Sequence, residues 1–340
     1  MTVIDRRASL QCLALLGLSP LLWAQAPMPR KKNSWPQQAV QLIVPFPAGG
    51  PSAILAKRVS QAFERTTQQP LRLQYQGGAG GLQGAVYAAN APANGAHIFI
   101  GGSHLAVARA LFPSEELDVM DELLPLTLVA KVPQVLVVNP ARVRARTVME
   151  LLADLQRKSS RLRMATAGMG SASHISAELL RQHEALRFEQ LHFRGSGPAL
   201  QDLLAGSVDM MVDGLVSCLP HIQSGRLKPL VVTGAQRVDV LPDVPCAQEM
   251  GIASLNHVTW YGLFAPKNVS KAQAAAMQQV FQRMGEDRIL VENFAQLGIQ
   301  WGALSGDAFK DMVDQEMQQW AQRLKGLELH PANPKSFEVS

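Results

Sequence analysis

The sequence predicts an α/β fold, and three observations carry that reading. Apolar runs of strand length alternate with stretches of helical periodicity along nearly all of the 340-residue chain. Glycine-rich turns recur where such a run ends and a helical pattern begins. The plan of strand, glycine turn and helix is given twice, restarting near Thr147, with no short repeat beneath it. The length suits two domains of ordinary size. A hydrophobic fraction of 47% against 17% charged supplies apolar residues for a core in each.

The elements follow in order. Residues 40–44 form a strand and 53–66 a helix; 71–75 form the next strand, followed by a glycine turn at 77–81 and a helix from about Leu82. Residues 97–101 are a third strand ending in another glycine turn, and strands at 126–129 and 135–138 flank Pro133. Thr147 caps a helix running to Gln156. Strand 162–165 leads into Gly168-Met169-Gly170-Ser171-Ala172-Ser173-His174 and a helix. Strand 191–193 leads into Arg194-Gly195-Ser196-Gly197-Pro198 and a helix carrying Leu200, Leu203 and Leu204. Strand 208–212 ends at Asp213, and 229–232 is another strand. Two longer helices close the chain, one from near Ser270 and one after Ser305-Gly306-Asp307. The second places Phe309, Met312, Val313, Met317, Trp320 and Leu324 on one apolar face, which reads as core.

The first 26 residues read as an export signal. Arg6-Arg7 precede a mostly apolar run, and Ala24-Gln25-Ala26 is a small-residue cleavage pattern. The run is too short and too broken to span a bilayer. The twin Arg admits the folded-protein route as well as the general secretory one, and the mature chain is expected in the periplasm. A net charge of +5 mildly favours anionic ligands and is too small and evenly spread for nucleic acid. Arg142, Arg144 and Arg146 read as a solvated cluster. Cys218 and Cys246 are open to two readings, a disulfide or two separate buried thiols. The tail 329–340 is expected to be loose.

Five turns share one chemistry: Pro47-Ala48-Gly49-Gly50, 77–81, Gly101-Gly102-Ser103, 168–173 and Gly195-Ser196-Gly197. In an open parallel sheet, the arrangement expected here, such strand ends line the ligand crevice. Bare N–H groups at helix starts favour an anion, and glycine admits close backbone approach. Serines such as Ser103, Ser171, Ser173 and Ser196 add neutral donors. Enzyme readings fare worse. The glycines at 78–84 suggest a dinucleotide fingerprint, but no Asp or Glu lies between Gly77 and Glu115 to hold a ribose. Ser171 sits in Gly-Ser-Ala-Ser rather than G-x-S-x-G, and adjacent Ser173 and His174 do not make a nucleophile–base pair. No metal-ligand spacing occurs. His174 reads as a packing or hydrogen-bonding residue, and Asp213 either caps the next turn or meets a ligand.

Taken together, Ile43-Val44-Pro45-Phe46-Pro47-Ala48-Gly49-Gly50, Gly78-Ala79-Gly80-Gly81, the stretch from Ala165 to His174, Gly195-Ser196-Gly197-Pro198-Ala199-Leu200, Val208-Asp209-Met210-Met211-Val212-Asp213, Leu241-Pro242-Asp243-Val244-Pro245 and Trp260-Tyr261-Gly262-Leu263-Phe264-Ala265-Pro266 run in one order. That series resembles the substrate-binding proteins of tripartite tricarboxylate transporters, the Bug-type extracytoplasmic solute receptors, over about residues 36–326. The resemblance implies a two-lobed, type II periplasmic-binding-protein fold whose chain crosses between lobes twice. Lobe 1 would comprise 36–132 plus 236–328, lobe 2 would comprise 133–235, and the two would close by hinge motion. It implies a ligand carboxylate held by Phe46, Ala48, Gly49, Gly50, Ser52, Ser171, Ser173, Gly195, Ser196 and Asp213. Gly80 and Gly81 follow from the second glycine turn, and Ser103 from the third. It implies no catalysis and no cofactor. The expected partner is a two-component membrane permease, or a sensor protein. The alternative is a hydrolase-like α/β enzyme acting on a small carboxylate. Two departures stand out. The family usually has Asp three residues after the second glycine, where this chain has Ala53, and often Asn where Leu82 stands. Loss of that acid predicts a ligand without a cationic group: a carboxylate with an apolar or aromatic body, or a di-acid.

Overall fold

The computed structural model describes residues 35–111, 119–157, 161–183 and 185–325. The expected export signal and the C-terminal tail lie outside them. The first half of the plan gives β1 (Val40–Val44), α1 (Pro51–Thr67), β2 (Leu71–Tyr75), α2 (Leu82–Ala89), β3 (His97–Gly102), α3 (Ser103–Leu111) and β4 (Leu123–Val132). The restart gives β5 (Gln134–Val138), α4 (Val148–Gln156), β6 (Arg163–Thr166), α5 (Ala172–His183), β7 (Glu189–His192), α6 (Ser196–Ala205), β8 (Met210–Gly214), α7 (Leu215–Gln223) and β9 (Lys228–Val232). The chain then returns through β10 (Thr259–Pro266) to α8 (Lys271–Met284), α9 (Arg288–Gln296) and α10 (Gly306–Arg323).

Two five-stranded sheets result, ordered β2-β1-β3-β10-β4 and β7-β6-β8-β5-β9. In the first, β1 runs parallel to β2 and β3, while β10 is antiparallel to β3 and β4. In the second, β6 runs parallel to β7 and β8, while β5 is antiparallel to β8 and β9. The sheets are therefore mixed, not parallel throughout. β10 brings the chain back after β4 has carried it out, and β5 brings it in, so each enters against a neighbour of opposite direction. The parallel trios still place every glycine turn at the C-terminal end of a strand.

Each sheet is covered on both faces. Phe63 of α1 and Met277 and Phe281 of α8 pack with Leu42, Ile98 and Leu263 on one face of the first sheet. Trp260, Phe264 and Phe309 of α10 form an aromatic cluster on the other. The segment after β9 stays with the second sheet: Val238, Leu241, Val244 and Cys246 join one of its clusters, Ala247, Ile252 and Leu255 the other. The Ala247 N–H donates to Val232 O at 2.8 Å. The apolar stripe of α10 divides its work. Phe309 and Val313 face the first sheet, whereas Trp320 and Leu324 pack with Ala106 and Val107 of α3 and Ile175 and Leu179 of α5.

Among the described residues of the last third there are three α-helices rather than the two expected. The missed one, α9, is nine residues long with an Asp287 cap, and only Leu290 and Phe294 of it are buried, too few to show a period. Cys218 and Cys246 are free, separate buried thiols, which settles the open alternative against a disulfide.

Candidate functional site

The glycine turns of the two sheets meet each other. A Cβ built on Gly49, whose φ is 97°, would stand 3.0 Å from the Gly197 Cα. One on Gly197 would run into the Ala48 carbonyl oxygen, and one on Gly195 would lie 2.8 Å from the Pro47 ring. Gly80 abuts the Met169 carbonyl and Gly170 in the same way. These contacts join the turn after β1 to that after β7, and the turn after β2 to that after β6. Side chains at these glycines would hold the turns apart.

Behind this seam lies an inner cavity of about 30 Å³. Taking ~10–15 Å³ per water on this measure, it has room for about two waters, or the head of one carboxylate. First turns of helices build its walls: Gly50, Pro51 and Ser52 of α1, His104 of α3, Ala172 and Ser173 with Ser171 at α5, Ser196 of α6, and Asp213 and Gly214 just before α7. Phe46, Ala167, Gln134 of β5, and Thr259 and Tyr261 of β10 complete it. No lysine or arginine is among these residues. The N-termini of α1, α6 and α7 carry no side-chain cap. Their first-turn N–H groups have no intrahelical partner, and the positive ends of three helices are directed at one small space.

The side chains divide into those already engaged and those left open. Ser196 Oγ donates to Asp213 Oδ1 at 2.8 Å and Ser217 Oγ to Oδ2 at 2.7 Å. Ser171 Oγ donates to Gly168 O at 2.5 Å, and Ser173 Oγ accepts from Ala167 N at 2.7 Å, so both shape their own turn. Ser52 Oγ and His104 Nε2, in residues 1% and 4% exposed, have no hydrogen-bond partner among the described residues. Burial lowers the His104 pKa to about 3, so its imidazole is neutral. Burial raises Asp213 to about 6, against the opposing pull of the Ser217 and Ser196 hydroxyls and the Gly214 backbone. Burial, then the charge of Asp213, also raises Tyr261.

An outer cleft of about 740 Å³ adjoins the cavity and shares Phe46 and Ala167 with it. Pro47, Tyr75, Gly77 to Gly80 and Gln83 line one side, and Gly168, Met169, His192, Phe193, Arg194 and Gly195 the other.

Of the residues expected at the site, Phe46, Gly50, Ser52, Ser171, Ser173, Ser196 and Asp213 line the inner cavity, and Gly80 and Gly195 the outer cleft. Ala48 and Gly49 form the seam. Gly81 lies behind the wall, where a Cβ would meet the His104 ring at 2.7 Å. Ser103 lies on neither wall: its hydroxyl accepts from Trp260 N at 2.9 Å and ties α3 to β10. Ala53 is a correction. Its side chain is buried in the core cluster of the first sheet, and Ala53 is not among the residues that line the inner cavity. The acid at the cavity is Asp213, from the other sheet. His174 is structural as expected: its Nδ1 accepts from Gly170 N at 3.1 Å.

Sequence reasoning missed His104, Gln134, Thr259 and Tyr261. His104 could have been found, since it follows Gly101-Gly102-Ser103 directly. The others reach the cavity only because β5 and β10 carry the chain between sheets.

Two sheets, two crossings and a cavity at their seam define a two-lobed periplasmic binding protein. Solved structures agree. The periplasmic binding protein BugD matches with a TM-score of 0.82 at 28% identity, covering 86% of this chain and 99% of that one. MatC from Rhodopseudomonas palustris, with bound malate, matches at 0.80 and 28%, covering 85% and 100%. Among curated relatives, a protein from the tcbD-tcbE intergenic region of Pseudomonas sp. (strain P51) is 30% identical over 90% of this chain and 91% of its own. BugT of Bordetella pertussis is 29% identical over 91% and 95%. The model of the tripartite tricarboxylate transporter family receptors matches residues 55–329, and the chain belongs to that family of solute-binding receptors.

Proposed function

We propose that this protein, exported to the periplasm by its first 26 residues, captures a small carboxylate between its lobes and delivers it without chemistry to a two-component permease or a sensor. The observation that carries this is the inner cavity: three uncapped helix N-termini and the Ser52 hydroxyl converge on a space with no lysine or arginine on its wall. Such a site holds an anion through oriented dipoles and neutral donors. Ser52, Ser171, Ser173, Ser196 and Asp213 would surround the carboxylate head. Phe46 and the outer cleft, with Tyr75, Met169 and Phe193, would take the body of the ligand. Catalysis is disfavoured because the Ser171 and Ser173 hydroxyls and His174 Nδ1 are committed within their own turn. Hinges are proposed at the two crossings, Val132 to Gln134 and Asn256 to Thr259.

Thermal-shift screening of the mature protein against malate, adipate and benzoate tests the reading. A true ligand raises the melting temperature in proportion to the logarithm of its concentration, and it is recovered unchanged. Absence of any shift, or turnover of the acid, would overturn the proposal.

A further inference from the structure

The same features that suit a carboxylate also set a conflict. The cavity already holds an acid. Asp213 is 3% exposed, on the cavity wall, with both oxygens engaged by neutral hydroxyls and no cation beside it. The other ionisable groups that face it are His104 from α3, neutral through burial, Tyr261 from β10, and Cys218 from α7, whose thiol burial pushes well up. None of them carries a positive charge in the ligand-free protein. A ligand carboxylate in a cavity of about 30 Å³ therefore stands within a few ångströms of Asp213. Two like charges so placed raise each other's pKa, and a proton on one of the pair relieves the repulsion.

Resting on the carboxylate reading above, we propose that capture is proton-coupled: closing the lobes on a ligand carboxylate loads one proton onto Asp213, so that receptor acid and ligand share a single negative charge. The proton comes from solvent, its buffer acid being converted to the conjugate base, and no other bond changes. Once protonated, Asp213 gains an O–H donor. It turns from a repulsive neighbour into a hydrogen-bond partner for the carboxylate. The consequence is selectivity by charge. A carboxylate draws a proton in. A ligand that meets Asp213 through an ammonium group holds it ionised and takes none.

The sign follows from linkage. The free protein loses the Asp213 proton near pH 6, and the complex holds it to higher pH because of the added negative charge. Affinity is then greatest at acid pH and weakens as pH rises above 6, by up to about tenfold per pH unit for one linked proton. Ordinary carboxylic acids, with pKa values of about 4 to 5, are almost wholly ionised from about pH 7 upward, so the ligand does not supply the dependence there.

Isothermal calorimetry at pH 7 tests this, using whichever of malate, adipate or benzoate binds, in buffers of different ionisation enthalpy. Wild-type protein should take up close to one proton per ligand bound. Asp213→Asn, a near-isostere of the neutral acid, should take up none and bind at pH 8 at least as tightly as wild type. Binding with no uptake, or with proton release, overturns the inference while leaving the receptor reading standing. Uptake that survives in Asp213→Asn places the proton elsewhere, on His104, and also overturns it. Failure of every acid to bind removes the receptor reading and the inference together. If the variant does not fold, the wild-type proton count decides alone.

Discussion

Gly197 shows how a single position can separate folding from function. It lies in the first turn of α6, and its φ is outside the left-handed region. The Ala48 carbonyl of the other lobe, with the Gly49 Cα beside it, stands where a side chain would go. Alanine there suits the helix better than glycine, by up to about 1 kcal/mol. Gly197→Ala should therefore hold the two turns apart and weaken carboxylate binding by tenfold or more by blocking the seam, while the helix gain limits the loss of stability. Unaltered affinity in calorimetry would show that these turns need not touch. Gly49 is a poorer probe, because its φ of 97° adds backbone strain in its own lobe. At this scale the sequence was legible for chemistry and not for contact. Gly195-Ser196-Gly197 reads as a donor-rich turn, but nothing local says that it faces Ala48.

Elements were legible where a period and a cap coincide. Thr147 accepts from Glu150 N at 3.2 Å, as the sequence predicts, and four residues of α4 are buried. Thr147→Ala should lower stability by about 1 kcal/mol without affecting binding, read from denaturant melts. Phe309 represents the other extreme. It is fully buried against Trp260 and Phe264, 5.8 and 5.5 Å between ring centroids. Phe309→Ala should cost about 3–5 kcal/mol. A loss under about 1 kcal/mol would mean the aromatic cluster collapses to fill the space. The stripe on α10 was read correctly as apolar core, yet its lower half belongs to a different surface. Trp320 and Leu324 reach Ile175 and Leu179 of α5 in the second lobe. Periodicity reports that a face is buried, not what buries it.

Across the whole molecule, the buried histidines set the response to acid. Burial lowers His104 to about 3 and His174 and His257 to about 4. The unfolded chain protonates all three below about 6.5. The folded chain does not, so stability falls as pH drops from 6.5 towards 4. His192 and His221, also lowered by burial, act in the same direction. Asp213 and Glu316, raised by burial, act the other way, since folding binds their protons more tightly. The histidines outnumber the acids, so the melting temperature of the ligand-free protein should fall by several degrees between pH 6.5 and 4.5. Asp213→Asn, lacking one opposing acid, should fall more steeply. A flat or rising profile in calorimetric melts contradicts this balance. Ligand binding moves oppositely, tightening as pH falls towards 6, because there the proton goes to the complex.

By itself the sequence determined the α/β class, the order of the strands and glycine turns and the resemblance to solute receptors, and it named seven of the fifteen residues that line the cavity. Those properties reside in local runs: apolar period, a cap, glycine where backbone must approach backbone. The tertiary structure alone decided that Ala53 belongs to the core and that both Asp213 oxygens are taken by the Ser196 and Ser217 hydroxyls. It also decided that Gln134, Thr259 and Tyr261 line the cavity with Asp213. Each depends on which face of an element meets which partner across the two chain crossings. That is settled by packing between residues far apart in the chain, which no local pattern records.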